Sequence, residues 1–108
     1  MQNSIDEQAV IACNLDAIDS ESRDEHMLTA EQMLASIVET KENPDGYAFR
    51  FPNETAMLNH VVKWIANERL CCPFFTFKMI VNDEFWLELS GNAEVKAFIH
   101  AIFIKGDN

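Results

Sequence analysis

The tetrapeptide Asn43-Pro44-Asp45-Gly46 constrains this chain more than any other segment. Proline presets φ for a tight turn, and glycine supplies the φ > 0 position that many such turns use. After it, Tyr47, Phe49 and Phe51 alternate with Ala48 and Arg50, giving one strand an aromatic face. A hairpin over residues 39–52 is therefore expected. A second hairpin is written into Phe75, Phe77, Met79 and Val81 on one arm and Phe85, Leu87 and Leu89 on the other. Asn82-Asp83-Glu84 makes its turn.

Between and beyond the hairpins the apolar period changes to that of helices. Residues 20–38 repeat Met27, Ala30, Leu34 and Ile37 on one stripe, behind Ser22 and Glu25 at capping-box spacing. Asn53 is the expected cap of a second helix, striped by Leu58, Val61, Val62 and Ile65, that runs to Cys71. Pro73 stops it, because the residue before proline avoids helical geometry. Ser90-Gly91-Asn92 introduces a last helix through Val95, Phe98, Ile99 and Ile102, and Lys105 and Gly106 suit its end. Upstream, Ile11, Cys13 and Leu15 alternate as a short strand over residues 9–15, preceded by a polar segment, 1–8, expected to fray. The order β-α-ββ-α-ββ-α describes a two-layer α+β domain over residues 9–108. Its antiparallel sheet is made of two hairpins plus the N-terminal strand, and three helices cover it. A chain of 108 residues without repeats suits one domain.

Charge excludes some functions. Against 18 Asp and Glu stand 8 Lys and Arg, a net −10, so neither nucleic acid nor an anionic membrane surface is an expected partner. Residues 1–45 account for −9 of this and residues 46–108 for −1. Asp19, Glu21, Asp24 and Glu25 fall in the first turns of a helix, where its dipole favours negative charge. The rest is a solvated face or a docking surface for a basic protein. No apolar run has the roughly 18 residues of a membrane helix, and the first residues lack a signal-peptide pattern, so a cytoplasmic location is expected.

Chemistry concentrates in Glu68-Arg69-Leu70-Cys71-Cys72-Pro73-Phe74-Phe75. With Cys13, the doublet Cys71-Cys72 completes the chain's three cysteines. A disulfide is not expected in a reducing compartment, and bonding adjacent cysteines closes a strained ring. Thiolates select soft ions such as Zn(II), Cu(I) and Hg(II), so Cys71 and Cys72 are the expected metal ligands. Cys13 joins them if its strand passes the end of the second helix. Nucleophilic catalysis is less favoured. The helix C-terminus raises a thiol pKa, Glu68 opposes Arg69, and His60 lies about 16 Å from Cys71 along the helix. His26, His60 and His100 fit ordinary surface or boundary positions and share no metal-ligand spacing. Arg50, if partly covered, needs a carboxylate, and Glu68 is its candidate partner in a structural ion pair.

Gly46-Tyr47-Ala48-Phe49-Arg50-Phe51-Pro52, read with Glu68 to Phe75, Cys13 and Trp86-Leu87, resembles an uncharacterised family of small bacterial proteins. Its members share a Gly-Tyr-x-Phe-Arg-Phe-Pro and a Glu-Arg-x-Cys-Cys-Pro-Phe-Phe pattern. The resemblance spans most of residues 13–103; it implies a shared fold and marks these residues, and carries no activity with it. The expected function is that of a small cytoplasmic protein, not an enzyme, that binds a thiophilic metal ion through Cys71 and Cys72 with Cys13. The alternative is an acidic interaction module whose cysteines only fill the core.

Overall fold

A computed structural model of the protein describes residues 14–104. Both hairpins form where alternation and turn chemistry put them. β1 (Glu39–Asn43) pairs antiparallel with β2 (Gly46–Phe51), with Asn43 opposite Gly46 and Pro44-Asp45 as the link. β3 (Thr76–Val81) pairs with β4 (Phe85–Ser90) in the same sense. β2 and β4 join the hairpins, giving the strand order β1-β2-β4-β3.

Gly46 is required for a different reason from the one its turn suggests. Its φ is not positive. A Cβ there would stand 1.9 Å from the Leu89 carbonyl oxygen, so it is the close approach of β4 that admits only glycine.

One face of the sheet is the floor of the core. Tyr47, Phe49 and Phe51 lie opposite Leu89, Leu87 and Phe85 in register, and all of these side chains are buried. The opposite face carries Arg50, Trp86 and Glu88, with the Lys41 Nζ 4.7 Å from the centre of the Trp86 ring.

The helices are α1 (Ser20–Ala35), α2 (Thr55–Cys71) and α3 (Ala93–Ile99), the last running into a π-helical turn, His100–Ile104. Trp64 of α2 sets its ring edge-on to Phe77 and Phe103, and Met33, Val61, Val95 and Ile99 complete the same core. Asn92 caps α3 by accepting a 2.8 Å hydrogen bond from the Val95 amide. The architecture is α+β, with helix-strand-strand-helix-strand-strand-helix order.

Three local expectations are corrected. Of the strand expected over residues 9–15, residues 9–13 lie outside the described residues. The described end turns instead into a 3-10 segment, Leu15–Ala17, so the sheet has four strands among the described residues. Asn53 does not cap α2; its amide donates to the carbonyls of Asn82 and Asp83 at 3.0 and 3.3 Å and so ties the second hairpin's turn to the start of α2. Finally, α1 is rotated from its expected stripe. Met27 is 53% exposed while His26, Thr29 and Met33 are buried. An acidic helix with few apolar residues has no strong stripe, so contacts made by its polar side chains decide its rotation.

Candidate metal centre

Val61, Trp64, Glu68 and Cys71 form the buried stripe of α2, at the three- and four-residue spacing of one helix face. That stripe puts a carboxylate in the core. A buried charge is costly unless it is paired and hydrogen-bonded. α1 supplies the partner: His26 Nε2 lies 2.8 Å from Glu68 Oε1. One helical turn further on, the Cys71 thiol donates to the same oxygen at 3.5 Å. Glu68 Oε1 therefore joins an imidazole from one helix to a thiol from its own.

The helix end is shaped by its sequence. The Cys72 amide donates to the Glu68 carbonyl at 2.7 Å, the Cys72 backbone then leaves helical geometry, and Pro73 forbids another turn. The Cys71 carbonyl, which has no acceptor role inside the helix, receives the Asn14 amide at 2.8 Å. Cys71 and Cys72 are 1% and 0% exposed, and their sulfurs stand 3.8 Å apart. They differ chemically: Cys71 keeps a free thiol, whereas Cys72 is disulfide-bonded.

Burial pushes the Cys71 thiol up to a pKa of about 12, and the negative charge and hydrogen bond of Glu68 push in the same direction. At neutral pH it is a protonated thiol. A cation reverses that balance, because it stabilises the thiolate and the carboxylate together. Cys71 Sγ, a Glu68 oxygen and a His26 ring nitrogen all lie within 4.8 Å of one another. Around a tetrahedral zinc ion a sulfur–oxygen edge measures about 3.6 Å and a nitrogen–oxygen edge about 3.4 Å. The thiol–carboxylate edge thus already has metal-site length, whereas the His26–Glu68 contact is about 0.6 Å shorter than such an edge. His26 Nδ1 is buried and has no hydrogen-bond partner among the described residues.

The sequence-level candidates fare differently. Cys71 is at the centre of the cluster. Cys72 is beside it, with its sulfur committed to a disulfide that the sequence reading did not expect. Cys13 lies outside the described residues. The Arg50–Glu68 ion pair is not formed. Arg50 Nε donates to Glu39 Oε1 at 2.9 Å, on the open face of the sheet, because strand alternation points it away from the helices while Phe49 and Phe51 point toward them. His26, expected at an ordinary surface or boundary position, is 4% exposed and part of the cluster. The available signal was Glu68 itself, three residues from Cys71 on an apolar face and in need of a donor. His60 contacts the Thr29 carbonyl at 3.2 Å, and His100 packs against Tyr47.

Part of the acidic N-terminal half is spent within the fold. Asp16 pairs with Arg23 at 3.5 Å, and Glu25 pairs with Lys63 of α2. No helix among the described residues is long and apolar enough to cross a membrane. No family model, curated protein or solved structure matches the chain.

Proposed function

We propose that this protein binds one thiophilic divalent cation, of the zinc class, through Cys71, Glu68 and His26 at the end of α2. The observation that carries this reading is the convergence of three chemically different donors, all buried, from two helices within 4.8 Å. A mixed sulfur, nitrogen and oxygen set suits Zn(II), and Cd(II) as its probe, better than it suits Cu(I) or Hg(II), which favour sulfur alone. Core packing by itself gives no reason to bury a carboxylate and an imidazole beside a thiol, since apolar side chains would fill the space without that desolvation cost. Three protein ligands leave the fourth tetrahedral position for water or another group. We assign the protein to the cytoplasm and regard the N-terminal acids as a solvated face, with a basic protein as the alternative partner.

Equilibrium titration with Zn(II) against a competing chelator tests the reading. Wild type should bind one ion per chain, and Cys71→Ser and His26→Ala should each weaken binding by about tenfold or more. Equal affinity in wild type and both variants would overturn it.

A further inference from the structure

The two edges of the sheet, β1 and β3, are built differently. β1, Glu39-Thr40-Lys41-Glu42-Asn43, is charged at three of its five positions, and both acids are engaged, Glu39 by Arg50 and Glu42 by Lys96. Charges of this kind keep an edge strand from pairing with another chain. β3, Thr76-Phe77-Lys78-Met79-Ile80-Val81, carries the charge of Lys78 alone, opposite Glu88 of β4. It is rich in residues that favour strands and contains neither proline nor glycine. On the side away from β4 its backbone makes no hydrogen bond among the described residues. A row of unpaired N–H and C=O groups selects one kind of partner, a second extended strand. We propose that β3 pairs antiparallel with β3 of a second copy of this chain, about a two-fold axis at Met79. The two four-stranded sheets then become one.

The choice of a second copy comes from the strand's fit to itself. Side chains directly opposite in an antiparallel pair project from the same face, so registers differ in steps of two residues. The register with Lys78 opposite Lys78 sets like charges together and is disfavoured. Sliding one strand by two residues puts Met79 opposite Met79, Phe77 opposite Val81 and Lys78 opposite Ile80. Five of the six residues of β3 remain paired. Both faces then match. The side toward the helices joins only apolar residues, and on the other side the Lys78 stem lies along Ile80. Val81, 50% exposed in the single chain, gains Phe77 of the other copy as its neighbour. Charge supports the same placement. Two chains of net −10 repel each other, so a contact between copies has to lie where charge is sparse, as it is on β3. The remaining repulsion gives the pairing a signature: salt screens it, so association should tighten as ionic strength rises. The pairing does not depend on the metal-binding reading.

Sedimentation velocity over a concentration series, with amide hydrogen exchange at its two ends, tests the pairing. Wild type should pass from monomer to dimer as concentration rises, and the added exchange protection should fall on β3 and not on β1. Val81→Lys should weaken association by about tenfold or more, because it removes the Phe77 contact and adds a charge at both ends of the shared ladder. Val62→Lys, at a similarly exposed position on α2, should leave association unchanged. A chain that stays monomeric up to millimolar concentration would overturn the proposal. So would β3 protection that does not vary with concentration, since the edge is then closed within one chain. A dimer that protects another segment, or one that salt dissociates, assigns the contact to a different surface and overturns it as well. Should Val81→Lys fold poorly, the location of the protection in wild type decides the matter.

Discussion

Glu68 Oε1 and His26 Nε2 meet at 2.8 Å in the core although 42 residues separate them in the chain. This contact joins α1 to α2, as His60 with the Thr29 carbonyl and Lys63 with Glu25 also do, and it turns the end of α2 from an apolar stripe into a polar cluster. Removing one member takes a close buried hydrogen-bond partner from the other. Glu68→Leu should cost about 2–4 kcal/mol in urea unfolding, and His26→Leu a comparable amount. The double replacement should recover part of the loss, because the hydrogen bond the two groups share is then removed from both sides at once. Strict additivity of the two single losses would show that the pair is not coupled.

Cys71 should be a slow nucleophile in the metal-free folded protein. With its thiol pKa pushed to about 12, the thiolate is scarce at neutral pH, and burial restricts access as well. Alkylation by iodoacetamide should be much slower than in urea, and should rise with pH up to the region of that pKa. Labelling at the rate of an unfolded thiol at neutral pH would contradict the burial and charge of the site.

Metal affinity should increase with pH. The ligand is the thiolate, so each ion bound through Cys71 expels its proton, and this cost falls as the pH approaches the raised pKa from below. Apparent Zn(II) affinity should therefore climb by up to about tenfold per pH unit in the neutral to mildly alkaline range. Isothermal titration in buffers of different ionisation enthalpy measures the released proton. A pH-independent affinity would mean that Cys71 is not a ligand.

Gly46→Ala should be among the most damaging single substitutions. The added methyl would meet the Leu89 carbonyl oxygen at 1.9 Å, at the end of the ladder where β2 and β4 join, and backbone cannot step aside as a side chain can. A loss of about 3 kcal/mol or more is expected in chemical denaturation.

Arg50→Ala, by contrast, should cost less than about 1 kcal/mol and leave metal binding unchanged. Its partner Glu39 is on an edge strand and its side chain is 43% exposed, so water screens the pair. A large loss of metal affinity in this variant would point to the Arg50–Glu68 contact that the fold does not make.

Sequence and structure agree most closely where the signals are local. Asn43-Pro44-Asp45-Gly46 and the alternation of Tyr47, Phe49 and Phe51 act over a few residues, and the first hairpin forms where they put it, although Gly46 does not take the positive φ expected of it. The stripe of α2 was half legible. Val61 is buried as expected, but Val62 is 51% exposed, and Trp64, Glu68 and Cys71 take the inner face. The candidate site was legible only in its sulfur. Cys71 stood out by its doublet and the proline after it, whereas His26 had nothing near it in sequence to mark it.

By itself, then, the sequence determined the succession of helices and hairpins, the stop at Pro73 and the position of the doublet at a helix end. Turn geometry, alternation and helix termination act between near neighbours, and no other part of the chain has to be in place for them to operate. Only the tertiary structure decided which histidine reaches Glu68, which cysteine keeps its thiol, and that Arg50 turns away from both. Those outcomes depend on the rotation of α1 against α2 and on which face of β2 meets the helices. Both are set by burial of the whole core and by the requirement that each buried polar group find a partner.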